Sequence, residues 1–160
     1  MNYLSAEEIN QTSPYHVTQV DDLSVRFCTQ NGVHYLVGFM SDIFILTENG
    51  YYLYLVNESE VQGEDPKVYQ AVVAIIANFF SHSSTDAMLY ICSPSDHRQA
   101  ARARLFKMWF DKTKEAESFT LAVYSNRDKG VDYYYGVILR KDNPYHDKLI
   151  EIFYDFLSDT

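Results

Sequence analysis

The chain has 160 residues and a formal net charge of −9; 47% of its residues are hydrophobic and 16% aromatic. That length suits one continuous core, and the apolar content excludes a disordered or low-complexity chain. The acidity excludes nonspecific nucleic-acid binding, which depends on Lys and Arg neutralising phosphates.

Met1–Gln11 is polar, carries Glu7 and Glu8, and lacks the apolar stretch of a signal peptide. The longest strongly apolar run, Ala71–Phe80, is too short to cross a bilayer. No membrane association is expected. Cys28 and Cys92 lie inside strand-like runs, so both are expected as buried, reduced thiols of a cytoplasmic protein.

The first elements form an antiparallel meander. Tyr15–Val20 alternates loosely, Asp21-Asp22 turns, and Leu23–Thr29 follows as a second strand. Asn31-Gly32 then precedes Val33–Met40, and this pair predicts a type I′ hairpin turn with positive φ at both residues. A second pair, Asn49-Gly50, separates Ile43–Thr47, a short strand or ordered loop, from the strand Tyr51–Val56. After the polar Asn57–Glu64, Asp65-Pro66 is a cap-then-proline helix start. The helix runs to about His82, with Val68, Val72, Ile75, Ile76, Phe79 and Phe80 on one broad apolar face.

Ser83–Asp86 breaks this helix, and Met88–Cys92 reads as a short, fully buried strand, able to pair parallel to Tyr51–Val56 through a right-handed crossover. A basic helix then extends to about Lys112. Strands Phe119–Tyr124 and Tyr133–Arg140 flank a turn at Asn126–Gly130. Asn143-Pro144 repeats the capped start, and Tyr145, Leu149, Ile152, Phe153, Phe156 and Leu157 line one face of a terminal helix. The expected architecture is a single α+β domain over residues 1–160, with a mostly antiparallel sheet, an N-terminal meander, then α-β-α-β-β-α with three main helices.

The basic helix is the one localised charge feature. Asp96 or Ser95 caps it, with Gln99 three positions after Asp96. Ala101, Leu105, Met108 and Trp109 share one face, with Phe106 and Phe110 beside it. Arg98 and Arg102 stand four apart on a common side, and Arg104 and Lys107 extend the positive surface. His97 sits at the strand-to-helix turn. His97, Arg98, Arg102, Arg104 and Lys107 are therefore the candidate residues for an acidic protein or a small anionic ligand, although a solvated face forming ion pairs with acidic loops such as Asn57–Asp65 is the plainer explanation of the segment.

The other histidines, His16, His34, His82 and His146, show no metal-ligand spacing and read as surface or satisfied polar residues. No nucleophile elbow or phosphate-cradling glycine loop is present, and no motif calls for a cofactor. The triplet Tyr133-Tyr134-Tyr135 places Tyr134 on one strand face and its neighbours on the other.

Leu89–Phe110, together with Ser13-Pro-Tyr15 and Arg140–Pro144, resembles a family of small proteins from Bacteroidetes that has no assigned activity. The meander followed by α, β, α, β, β resembles the core of the GCN5-related N-acetyltransferases. That resemblance implies a coenzyme A pyrophosphate site at the start of the helix after the fourth strand. Here the segment is Val61-Gln-Gly-Glu-Asp-Pro-Lys67, with one glycine, two acids and a proline, so the backbone cradle is missing. Arg104–Phe110 loosely resembles a later segment of the same family.

The expectation that follows is a non-enzymatic binding or regulatory module. An acyltransferase-like enzyme with a nonstandard donor site is the alternative, and a structural homodimer using strand edges and tyrosines is the third.

Overall fold

The computed structural model describes residues 3–42, 45–46, 49–59, 65–92, 104, 107–108, 110–112 and 114–158. The elements are α1 (Ala6–Ile9), β1 (Val17–Asp21), β2 (Ser24–Cys28), β3 (His34–Ser41), β4 (Gly50–Asn57), α2 (Pro66–Ser81), β5 (Ala87–Cys92), β6 (Phe119–Asp128), β7 (Val131–Arg140) and α3 (His146–Ser158). A 3-10 turn, Lys114–Ser118, precedes β6. The sheet has seven strands in the order β1-β2-β3-β4-β5-β7-β6. Its one parallel pairing sets Gly50–Tyr52 beside Ala87–Leu89, as the α2 crossover predicts. The fold is α+β with a mostly antiparallel sheet. It divides into two compact units, Met1–Met40 with Leu53–Ser83, and Ser41–Tyr52 with Ser84–Thr160.

In the first unit, alternation along β2 and β3 turns Val25, Phe27, Val37 and Phe39 inward. The six apolar residues expected on the inner face of α2 are all buried, and Phe39 stacks on Phe79 at 4.3 Å between ring centroids. The polar N-terminal segment also yields structure. Ser5 Oγ accepts from Glu8 N (3.3 Å) and caps α1, while Ser5 N donates to Asn78 Oδ1 on α2 (2.8 Å). Leu4 and Ile9 are fully buried there.

Two expectations fail in this unit. The Asn31-Gly32 turn is not type I′, because only Gly32 has positive φ (79°). Thr29 N donates to Val33 O (2.9 Å) and Gly32 N to Thr29 O (3.1 Å), which closes a three-residue loop with the glycine left-handed at its end. Cys28 is exposed, because strand alternation puts it on the outer side with Arg26 once Val25 and Phe27 face the core.

In the second unit, Ile45, Leu46, Ala87, Leu89, Ala122, Val137, Leu139, Leu149, Phe153 and Leu157 form one core. The described part of Ile43–Thr47, Ile45 and Leu46, is a buried bend. Their N–H groups donate to the fully buried carboxylate of Asp42 at 2.6–3.2 Å. Neither Asn49 nor Gly50, the second Asn-Gly pair, has positive φ. A type I′ turn occurs at Lys129-Gly130 (φ 53° and 79°), with Asp128 paired to Val131. The tighter turn lengthens β6 and β7 to ten residues each.

β5 is buried except for Ile91, and on α3 the buried residues are Leu149, Phe153 and Leu157, spaced by four. Tyr145 and Phe156 are exposed: Tyr145 precedes the first helical residue, and Phe156 stands one position, about 100°, off the buried stripe. Burial contributes about 1.5–3 kcal/mol for each of the three. Gly136 leaves room for the ring of its cross-strand partner Tyr90, which an added Cβ would strike.

Candidate functional site

Of the five candidate residues, Arg104 and Lys107 are described, both exposed and helical. His97, Arg98 and Arg102 lie outside the described residues, as do the caps Ser95 and Asp96. Phe110 anchors the segment: it is buried and meets Phe119 edge-on at 6.4 Å. Met108, expected on the apolar face, is 42% exposed. Two positions from Phe110 is more than half a turn around the helix, so both cannot face inward. Lys107 Nζ pairs with Asp111 Oδ2 at 2.7 Å, one turn on. Both partners are exposed, so the pair contributes only about 0.3–0.5 kcal/mol.

The start of α2 is the segment that would correspond to a coenzyme A cradle. Asp65 caps it, its Oδ1 accepting from Lys67 N at 2.9 Å. Its other oxygen accepts a short hydrogen bond from the Tyr15 hydroxyl. Burial, then the bond to Asp65 and that carboxylate's charge, push the Tyr15 phenol up to about 12. The positive end of α2 is thus already matched by a negative charge of the chain itself.

Other polar groups meet in ways the sequence did not indicate. Tyr52, whose phenol is pushed up to about 12 by burial and by the charge of Asp42, packs with Tyr124 and Tyr135 against the core of the second unit. Tyr124 and Tyr135 are direct cross-strand partners on β6 and β7. Arg26 holds Glu58 in a two-point contact (2.6 and 3.1 Å), which lowers the Glu58 carboxyl. His82 pairs with Glu8 (2.9 Å), and His34 Nε2 lies 3.8 Å from Cys28 Sγ. No group of three or more potential metal ligands occurs among the described residues.

His146 meets two side chains, one through each ring nitrogen. Its Nε2 is 2.8 Å from Thr120 Oγ1 and its Nδ1 is 2.8 Å from Asp147 Oδ1. The sequence offered no sign of this, since Thr120 precedes His146 by 26 positions and reaches it only because α3 packs against β6.

Residues 64–156 match the model of a family of unknown function, DUF6169. The match takes in more than half of the chain. The chain belongs to this family. The DUF6169 match runs from the start of α2 through β5, β6 and β7 into the last turn of α3, and the N-terminal meander lies before it. Comparison with curated proteins finds no match. Among the described residues no helix is long and apolar enough to cross a membrane.

Proposed function

We propose that this DUF6169 chain is a cytoplasmic bacterial binding module. The helix bearing Arg98, Arg102, Arg104 and Lys107, with His97 at its start, contacts an acidic protein segment or a small anionic ligand. One observation carries the reading: Arg104 and Lys107 are exposed on a helical segment that the buried Phe110 anchors. A positive strip on a chain of net charge −9 attracts acidic partners and disfavours self-association through the same surface. Arginine suits this role because its planar fork reads a carboxylate or phosphate in two-point contacts.

The test is titration of a polyglutamate peptide and of inorganic pyrophosphate into the native chain and into the variant Arg98→Glu/Arg102→Glu/Arg104→Glu. Loss of binding with an unchanged melting temperature supports the reading. Equal binding by the folded variant overturns it.

A second reading, acyl transfer from a coenzyme A thioester, draws on the order of elements and the parallel β4–β5 pairing. Asp65 at the start of α2 weighs against it, because a carboxylate repels the pyrophosphate that such a site must hold. Calorimetry with millimolar acetyl-coenzyme A decides it: no heat of binding removes this reading.

A further inference from the structure

We propose that Thr120, His146 and Asp147 form a hydroxyl–imidazole–carboxylate relay that makes Thr120 a nucleophile toward small activated acyl esters. This inference uses residues separate from the binding helix, and neither reading depends on the other.

The protonation pattern follows from the contacts. An ionised carboxylate only accepts hydrogen bonds, so the proton between Asp147 and His146 resides on Nδ1. In the neutral ring Nε2 is then the acceptor, and Thr120 Oγ1–H donates to it. A base is therefore aimed at a hydroxyl, and a third group fixes the base's tautomer, which is the arrangement that activates a weak nucleophile.

The surroundings fit this use. Thr120 is half-buried on β6, an edge strand of the sheet, and the His146 side chain retains 24% exposure. Asn143 holds the helix start, its Oδ1 accepting from Tyr145 N (2.8 Å) and its main-chain oxygen from His146 N (3.0 Å). The relay thus sits at the start of the 13-residue helix α3, whose first turn carries both His146 and Asp147. All three residues lie inside the segment matched by the family.

In the reaction, Thr120 Oγ1 attacks the ester carbonyl carbon and its proton passes to His146 Nε2. The carbon–oxygen bond to the leaving group breaks, and the leaving alkoxide takes the proton from Nε2. Thr120 is left as an acyl ester. Water then adds to that ester as Nε2 takes its proton, the carboxylic acid leaves, and the proton returns to Oγ1.

The experiment incubates the full chain with p-nitrophenyl acetate, follows nitrophenol release, and maps the acetyl group by peptide mass spectrometry. Acetyl on Thr120 is expected, absent in Thr120→Val, retained in Thr120→Ser, and formed about 100-fold more slowly in His146→Gln. Asp147→Asn is expected to slow it less, because the Asp147 side chain is fully exposed and its charge is solvated. Acetylation confined to lysines, tyrosines or Cys28 overturns the proposal, as does an unchanged rate in Thr120→Val. Should Thr120→Val fail to fold, a rate in folded His146→Gln equal to that of the native chain overturns it.

Discussion

α2 and α3 begin with the same signal, an Asx residue followed by proline, and the two starts place their negative charge differently. At α2 the cap is Asp65, a carboxylate that takes the Lys67 N–H and the Tyr15 hydroxyl. At α3 the cap is Asn143, a neutral amide that is buried, takes the Tyr145 N–H, and donates its own amide to the main-chain oxygen of Asp86 at 3.3 Å. At α2 the negative charge sits on the cap itself, whereas at α3 it comes from Asp147 in the first turn. The first carboxylate is tied to a backbone N–H and a phenol, and the second stands beside His146 and, through it, Thr120. Similar caps thus give one structural joint and one joint with chemical potential.

Exchanging the caps tests this contrast most severely. Asn143→Asp places a carboxylate in a buried site against a carbonyl oxygen and removes the donor to it, so the expected loss of stability is about 3 kcal/mol. A shift of the urea midpoint measures it, and a variant as stable as the native chain would show that donation to Asp86 contributes nothing. Asn143→Ala, which loses the cap without adding charge, should cost about 2 kcal/mol. At the other helix Asp65→Ala should cost about 1 kcal/mol, and Asp65→Asn only a few tenths, because both amide and carboxylate cap well.

Asp65→Asn has a second readout. The Tyr15 phenol, held at about 12 partly by the Asp65 bond and charge, should ionise at lower pH in this variant, as phenolate absorbance would report. The native chain should also lose stability at alkaline pH. Tyr15 and Tyr52 both ionise near 12 when folded, against 10.0 as the ordinary value. Their contribution is complete below about 10, where both states hold the proton, and is lost as pH rises from there through about 12. Tyr15→Phe should make that alkaline decline shallower. A decline identical in Tyr15→Phe and the native chain would mean that Tyr15 contributes nothing to it.

Much of the fold was legible because it rests on local codes. Asp65-Pro66 marked the start of α2 where it occurs, and the apolar spacing along that helix picked out its six buried residues. The parallel β4–β5 pairing followed from a strand, a helix and a strand in succession. Turns were harder. Asn31-Gly32 reads as a type I′ signal, yet the type I′ geometry falls at Lys129-Gly130, where pairing of the flanking ten-residue strands forces a lysine into positive φ. The exposed Cys28 was misread for a related reason, since an apolar run does not reveal which alternate residues face inward until a second layer lies on one face.

The candidate sites divide the same way. The basic helix was visible because its charges lie a turn apart in one segment. The contact of Thr120 with His146 was invisible, because it joins a strand residue to a helix residue through packing between distant elements. By itself the sequence determined composition class, element order, both Asx-Pro helix starts and the location of positive charge, since propensity, periodicity and capping act over a few residues. Only the tertiary structure decided which cap is buried, which cysteine meets water and which hydroxyl meets a base, because these depend on neighbours brought together by sheet pairing and helix docking.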